Sequence, residues 1–243
     1  MNDISRQSPG WHPDELAFLG KHRVLQHTGE IPGLTCIKQR WVYNTLREVF
    51  LTENGYVLKR YSHFPGRKDY RKVWKREHDA LCRLGDLNTP DSMGYIDVKH
   101  NRNLSGTLHL RTLLPGSTVN WATENRVESL AEFMADIHRR HVVTLDPQHE
   151  NFIDTHNHHH PIGFIDFGRA RVFSGMNLPM LLHIGKDLAK LRIDGGLNHR
   201  QFEAFSQHYQ QCVQFNALQN AIVNLSVGHF LRRRIRTHGR PVR

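Results

Sequence analysis

The sequence Ile162-Gly163-Phe164-Ile165-Asp166-Phe167-Gly168 is the most informative segment of this 243-residue chain. Its first four residues have the apolar pattern of a buried strand, which ends in a carboxylate. Gly168 gives the backbone freedom to turn away directly afterwards. A carboxylate in this position can hold a magnesium ion against nucleotide phosphates, although the tripeptide Asp-Phe-Gly alone is weak support.

A second polar segment, Asp146-Pro147-Gln148-His149-Glu150-Asn151, ends fifteen residues before Asp166. Asp146 can accept a hydroxyl proton or orient a nucleophile, and Asn151 can bind magnesium from the side. Asp-Pro by itself is equally typical of an ordinary turn. Apolar runs at Asn151 to Ile153 and Ile162 to Ile165 predict a hairpin, which would bring two oxygen ligands to one magnesium ion.

A strand predicted over Tyr56 to Tyr61 contains the segment Val57-Leu58-Lys59-Arg60-Tyr61. Alternation places Val57, Lys59 and Tyr61 on one face, and a lysine on a core face needs an anionic partner. Nucleotide phosphates would be such a partner. An edge-strand lysine that reaches water is the alternative.

Glu77 lies in the apolar stripe of a helix predicted from about Asp69 to Leu84. A buried carboxylate costs several kcal/mol unless it is paired, so we predict an ion pair with Lys59. An exposed Glu77 beside Lys75 or Arg76 is the alternative.

The predicted secondary structure changes near Pro115-Gly116, which is the best candidate boundary between two lobes. Before it, strand patterns extend from about Thr35 to Tyr61, with a turn at Glu53-Asn54-Gly55, and from Leu104 to Leu114. Beyond it, helices are predicted, and several of them make up the region from about Leu178 to Ile235. The first of these helices has the apolar stripe Val127, Leu130, Ala131, Met134, Ile137 and His138.

Composition indicates a globular protein that stays in the cytoplasm. Hydrophobic residues make up 38% and charged residues 23%. No stretch approaches the roughly 18 apolar residues that span a bilayer, and Met1 to Gly10 lacks the apolar core of a signal peptide. Cys36, Cys82 and Cys212 are odd in number and far apart, which suits a reducing compartment.

The net charge of +10 and the pI near 9.8 favour an anionic partner. Nucleic acid, anionic lipid head groups and phosphorylated glycans all fit. Basic residues concentrate at Lys68 to Lys75 and in Arg232-Arg233-Arg234-Ile235-Arg236, with Arg240 and Arg243 beyond. Solvated helix faces would explain both runs equally well.

In their order, these motifs resemble those of the lipopolysaccharide kinase family, the bacterial Kdo and heptose kinases with a protein-kinase-like fold. The resemblance covers roughly Thr35 to Leu191, and its specificity comes from the order of short motifs. These are Val57 to Tyr61, Arg76-Glu77 with Leu81 and Leu84, Thr89-Pro90, Asp146-x4-Asn151, Asp166-Phe167-Gly168 and Asp187-Leu188.

The resemblance implies an α+β, two-lobed protein-kinase-like fold with a small β-rich N-lobe (residues 1–114, one helix) and a compact, mainly helical C-lobe (115–243). It implies transfer of the ATP γ-phosphate to a sugar hydroxyl of the lipopolysaccharide inner core, on the cytoplasmic face of the inner membrane. The implied catalytic residues are Asp146, Lys59 and Glu77. The implied ligands of ATP are Val57, Lys59, Thr112, Leu113, Asn151 and Asp166, of which Asn151 and Asp166 also bind Mg²⁺.

Three positions depart from the family pattern. The segment Gln39 to Arg47 contains no glycine, so the loop that normally covers the phosphates lacks its usual form. Thr144 stands where a histidine is usual, and Gln148 stands where many kinases have a basic residue or histidine. We expect Asp187 to cap its helix or to hold the backbone of the catalytic loop.

Three classes of function stay open: a core-sugar kinase, an atypical protein or small-molecule kinase, and a non-catalytic pseudokinase. The first is favoured because the stretch from Asp166 to Asp187 has no Thr or Tyr and only 75 residues follow Gly168. The expected partners are the anionic core glycan and the anionic inner-membrane surface, with nucleic acid as a less favoured alternative. We interpret His156-Asn157-His158-His159-His160 as an exposed hairpin tip rather than a metal site.

Overall fold

The structure is a computed structural model that describes residues 9–26, 28–67, 71–155, 157 and 161–238. By its internal contacts the chain divides into two compact units. The first comprises Met1–His78 and Asp91–Leu113, and the second comprises Asp79–Pro90 and Leu114–Arg243. A lobe boundary after residue 114 stays a prediction. Within the described ranges, no helix is both long and apolar enough to cross a membrane.

A five-stranded antiparallel sheet forms the body of the first unit. Its strands are β1 (Thr35–Val42), β2 (Thr45–Leu51), β3 (Tyr56–His63), β4 (Ser92–Lys99) and β5 (Ser105–Thr112), in the order β1-β2-β3-β5-β4. The predicted turn joins β2 to β3, and Gly55 within it has a φ of 82°, which suits glycine. Because β3 is the central strand, the interpretation of Lys59 as an edge-strand lysine is wrong.

A helix that the sequence analysis did not predict, α1 (Pro13–Lys21), packs beside β4. It is fixed by a buried ion pair in which Nε and Nη2 of Arg60 donate to the two carboxylate oxygens of Glu15, at 3.0 and 2.9 Å. Arg60 also donates to the carbonyl oxygens of Pro9 and Gly10. A capping box between His12 and Glu15 begins the helix and was its local signal in the sequence.

The helix predicted from Asp69 is α2 (Val73–Leu84), and its start was predicted too early. Lys72 has a φ of 45°, in the left-handed region, so the helix cannot extend back through it. Residues 68–70, which include the predicted start and part of the basic run, lie outside the described residues. The predicted stripe is buried along its length: Val73, Glu77, Leu81 and Leu84.

The second unit is mainly helical. Its helices are α3 (Arg126–Arg139), α4 (Leu178–Asp194), α5 (His199–Val213) and α6 (Ala217–His238). Helix α3 packs on α5, and α4 packs on α6. All six residues of the stripe predicted for α3 are buried, as expected for a helix that faces the core.

Two small sheets complete the second unit. One contains β6 (Ser117–Thr118), β8 (Phe152–Asp154) and β9 (Ile162–Phe164), and the other pairs β7 (Val142–Val143) with β10 (Arg171–Val172). The antiparallel pairing of β8 with β9 confirms the predicted hairpin. Residues 156 and 158–160 of its histidine-rich tip, and the basic residues Arg240 and Arg243, lie outside the described residues.

Gly116 lies where β6 approaches β8. Its φ is 139°, and a Cβ atom added there would lie 2.2 Å from the carbonyl oxygen of Asp154. No other residue type could occupy the position without moving a strand. The Pro-Gly pair therefore marks a close backbone approach as well as a change of structure.

Removing the charge that pairs with Arg60 should destabilise the first unit. We expect Glu15→Gln to lower the free energy of unfolding by about 3–5 kcal/mol, because it leaves a buried guanidinium without its carboxylate. Urea unfolding followed by circular dichroism measures this. The exposed control Glu30→Gln should stay within about 0.5 kcal/mol of the wild type. A change of similar size in both variants would contradict the anchoring role of the pair.

Candidate active site

Lys59 and Glu77 form the buried ion pair that the sequence predicts. The Nζ of Lys59, on β3, donates to both carboxylate oxygens of Glu77, on α2, at 2.8 Å each. Glu77 is completely buried and the lysine side chain is 10% exposed. The alternative of an exposed Glu77 is therefore wrong. The pair holds the ammonium group in one place, which is the condition for aiming it at a ligand.

A second cation, which the sequence analysis missed, shares the carboxylate of Glu77. The Nε of Arg111, on β5, lies 3.3 Å from Oε1 of Glu77. The Arg111 residue is only 5% exposed, and its Nη1 is buried with no hydrogen-bond partner in the described structure. Two buried cations thus face one carboxylate. The buried Nη1 of Arg111 suits an anionic ligand such as a phosphate.

His109 reports the same positive potential. It pairs with Lys59 across the sheet, and its Nε2 lies 3.0 Å from Oγ of Ser92. Burial, followed by repulsion from Lys59 and Arg111, holds the pKa of His109 well below its ordinary value. The imidazole therefore stays neutral beside the two cations. In the sequence, Leu108-His109-Leu110-Arg111 alternates apolar and basic residues along one strand, and this pattern could have identified Arg111.

The other predicted nucleotide ligands of the first unit lie at the ends of β3 and β5. Val57 is buried and pairs with Arg111. The backbone N–H of Thr112 donates to the carbonyl oxygen of Asp91 at 2.9 Å, and that of Leu113 donates to the carbonyl oxygen of Gly55 at 2.7 Å. Because both donors are used within the unit, Thr112 and Leu113 have only side chains and carbonyl oxygens to offer a nucleotide.

In the second unit, Asp187 of α4 holds the loop that carries Asp146. Its Oδ1 accepts hydrogen bonds from the backbone N–H of Leu145 at 2.7 Å and from the hydroxyl of Thr144 at 2.9 Å. Its Oδ2 accepts from the backbone N–H of Thr144 at 3.0 Å. Leu145 has a φ of 59°, an unfavourable conformation for leucine that these bonds maintain directly before Asp146. Asp187 therefore has the structural role that we expected.

A histidine does reach Asp187, but it comes from α3 rather than from the position of Thr144. The Nε2 of His138 lies 3.4 Å from Oδ2 of Asp187, and its Nδ1 lies 2.6 Å from the hydroxyl of Tyr209. Burial, and then the charge of Asp187, raises the pKa of Tyr209 well above its ordinary value. His138, Asp187 and Tyr209 thus form a buried network from three helices.

Asp146 contacts two cations that the sequence analysis did not single out. Its Oδ1 lies 3.1 Å from Nη1 of Arg169 and 3.5 Å from Nζ of Lys190. Lys190 also donates to the carbonyl oxygen of Leu145 at 2.5 Å. Arg169 directly follows Asp-Phe-Gly in the sequence, and Lys190 lies three residues after Asp187 on one helix. Lys190 therefore brings to the loop the positive charge that Gln148 lacks.

Asn151 and Asp166 provide the oxygen atoms that a divalent cation would need. The Nδ2 of Asn151 donates to the carbonyl oxygen of Asp146 at 3.0 Å, so the amide oxygen is the atom left for ligation. The backbone N–H of Ile165 donates to the carbonyl oxygen of Asn151 at 3.1 Å, which places Asn151 beside the segment leading to Asp166. Magnesium prefers such oxygen donors and takes its remaining ligands from phosphates and water.

The carboxylate of Asp166 also contacts the backbone that follows it. Asp166 accepts a hydrogen bond from the backbone N–H of Gly168 at 3.1 Å. Gly168 is not among the residues of positive φ, so its predicted conformational freedom is not used here. No group of three or more His, Cys, Asp or Glu side chains in the described part of the chain could hold a metal ion.

Comparison with known proteins finds similarity in structure but not in sequence. No protein-family model matches the chain, and no curated protein matches it. The structure of WaaP in complex with acyl carrier protein matches with a TM-score of 0.52 and 17% identity, over 88% of this chain and 92% of that chain. The amicoumacin kinase hAmiN, solved with AMP-PNP, Ca²⁺ and Ami, matches with a TM-score of 0.58 and 12% identity. That match covers 90% of this chain and 84% of the kinase.

At these identities the similarity establishes the fold. It extends over most of the chain in both comparisons, and it agrees with an antiparallel sheet in the first unit and a mainly helical second unit. The prediction of an α+β, two-lobed fold is confirmed: the chain has the protein-kinase-like fold.

Proposed function

We propose that this protein is an ATP-dependent kinase that transfers the γ-phosphate to a sugar hydroxyl, on heptose or Kdo, of the lipopolysaccharide inner core. The observation that carries the proposal is the buried ion pair between Lys59 and Glu77, because it fixes an ammonium group for binding phosphates. The match to a kinase solved with AMP-PNP and Ca²⁺ supports a nucleotide and a divalent cation as cofactors. The choice of acceptor rests on the order of the sequence motifs.

In this proposal each polar group has a separate task. Lys59 and Arg111 bind phosphate oxygens of ATP, while Asn151 and Asp166 hold Mg²⁺. When bound, the metal offsets the negative charge of the phosphates and orients them. Val57, Thr112 and Leu113 contact the nucleoside.

Asp146 acts on the acceptor. It accepts the proton of the sugar hydroxyl as that oxygen bonds to the γ-phosphorus, and the bond from the γ-phosphorus to the bridging oxygen of ADP breaks. Arg169 and Lys190 hold the carboxylate in position for this step. The strained backbone at Leu145, fixed by Asp187, sets the direction in which Asp146 points.

The proposal includes a location on the cytoplasmic face of the inner membrane, in peripheral contact with it. The net charge of +10 supports it, because both the core glycan and the lipid surface are anionic. Two exposed basic residues on α6 would make such contact, Arg232 and Arg236.

Phosphate transfer from labelled ATP to purified core oligosaccharide tests the reaction. We expect transfer by the wild type and at least about a thousandfold less by Asp146→Ala or Asp166→Ala, because one removes the base and the other a metal ligand. The exposed control Glu124→Ala should keep the wild-type rate. Labelling of a protein or an antibiotic, with the oligosaccharide unlabelled, would show that the acceptor is wrong.

The role of Arg111 can be measured by nucleotide binding alone. We expect Arg111→Met to raise the Kd for ATP about tenfold by calorimetry, because a buried guanidinium no longer meets a phosphate. Arg111→Lys should lose less, since it keeps the charge. Arg102→Met, at an exposed arginine, is the matched control. Unchanged ATP affinity in Arg111→Met would leave this residue as a structural partner of Glu77 only.

A non-catalytic pseudokinase is the second candidate, and one observation favours it. The turn between β1 and β2 lacks glycine, and hydrogen bonds of Asn44 hold it in place. The backbone N–H of Asn44 donates to the carbonyl oxygen of Arg67, and its carbonyl oxygen accepts from the backbone N–H of Phe64. Arg67 also lies 4.0 Å over the ring of Tyr43. A turn held in this way offers phosphates few backbone donors. A melting temperature that ATP and Mg²⁺ do not raise would favour this candidate over the kinase.

A further inference from the structure

Five basic side chains, Lys186 and the four cations whose charges act on it, form what we call the cationic cluster. They come from the segment after Asp-Phe-Gly, from α4 and from α6: Arg169, Arg171, Lys186, Lys190 and Arg233. Two members, Arg169 and Lys190, contact the carboxylate of Asp146 directly. Lys186 lies one helical turn before Lys190 on α4, so both side chains are on the same face.

Local packing brings the three elements together. Arg171 is in β10, where it pairs with Val143 at the start of the catalytic loop. Gly185 of α4 allows α6 to come close, because a Cβ atom added there would lie 2.4 Å from Cβ of Ser226. The hydroxyl of Ser226 donates to the carbonyl oxygen of Leu182 at 2.7 Å. The same approach places the ring of Phe230 5.5 Å from Nζ of Lys186.

The members of the cluster repel one another. Burial first, and then repulsion by the other four members, lowers the pKa of Lys186 from its ordinary value. The sequence has no acidic residue between Gly168 and Lys186, and none after Glu203. An anionic ligand bound here would reduce this repulsion.

Arg171 illustrates how little of this charge is offset. Its Nη1 lies 3.0 Å from Nε2 of His183, while Nδ1 of the same ring lies 2.7 Å from the carbonyl oxygen of Pro179. Because Nδ1 must donate to that carbonyl, Nε2 accepts from Arg171. This contact orients the guanidinium without cancelling its charge.

We propose that the cationic cluster is a subsite for an anionic group, a phosphate or a carboxylate, on the acceptor molecule. The inference rests on the proposed function and adds how its acceptor is recognised. An anion held by Arg171 and Lys186 would place a hydroxyl of the same molecule near Asp146. Two other members of the cluster, Arg169 and Lys190, contact the carboxylate of that residue. Guanidinium groups suit both phosphate and carboxylate through paired hydrogen bonds.

The test compares acceptors that differ in charge. Deacylated core oligosaccharide is used intact, with its phosphates removed, and with its carboxyl groups reduced. We expect the wild type to bind the intact form at least about tenfold more tightly than one of the two altered forms, which identifies the anion. The double variant Arg171→Gln/Lys186→Gln should lose this preference, seen in the KM for transfer and in the Kd from calorimetry. Arg200→Gln, an exposed arginine on α5, should keep it.

The outcomes separate the subsite from the reaction. If the wild type transfers phosphate and the double variant keeps the full preference for the charged acceptor, the subsite is wrong and the kinase stands. If calorimetry shows charge-dependent binding that the double variant loses, but no oligosaccharide is phosphorylated, the subsite stands and the reaction is wrong. Sedimentation with phosphatidylglycerol vesicles is the third arm. Loss of vesicle binding with an unchanged acceptor KM would make the cluster a membrane contact and overturn the proposal.

Discussion

A carboxylate can be buried only where cations or N–H donors surround it, and each unit of this protein is arranged around such a group. In the first unit, Glu77 is completely buried and meets Lys59 at 2.8 Å and Arg111 at 3.3 Å. The ion pair connects β3 and β5, where the cations lie, to α2. The guanidinium group of Arg111 keeps a buried Nη1 with no hydrogen-bond partner in the described structure, and an anionic ligand would supply one.

The second unit satisfies the same constraint with different donors. Asp187 is buried in α4 and accepts hydrogen bonds from two consecutive backbone N–H groups, those of Thr144 and Leu145. These bonds hold Leu145 in a left-handed conformation and so fix the backbone position of the next residue, Asp146. Since the same carboxylate lies 3.4 Å from His138 of α3, the loop that carries Asp146 is held by two helices. The proposed role of Asp146 as a base would require a rigid support of this kind.

The packing of strands and helices in the second unit brings together basic side chains that are distant in the sequence. The close approach at Gly185 brings the basic end of α6 towards α4, and the pairing of β10 with β7 adds Arg171. Net charge alone could not distinguish a nucleic acid, a membrane and a glycan as the partner. In our proposal, basic side chains near Asp146 bind an acceptor that is itself anionic.

The sequence alone predicts the helices and strands that have a regular apolar pattern. It also predicts the candidate site residues that occur in a characteristic order along the chain. Alternation identified β3 and Lys59, the apolar stripe of α2 identified Glu77, and the hairpin flanking Asp166 identified Asn151. The start of α2 was misplaced because the left-handed conformation of Lys72 leaves no mark in the pattern. Such conformations are set by the surrounding structure rather than by residue type.

Which distant side chains meet depends on the tertiary structure. Arg111 reaches Glu77 because β5 lies beside β3 in the sheet, and Lys190 reaches Asp146 because Asp187 fastens α4 to the loop. Arg60 finds its partner in α1, forty-five residues away. Helical and strand periods are local, whereas strand order and the packing of helices depend on the whole core, so a single sequence reveals the first and not the second.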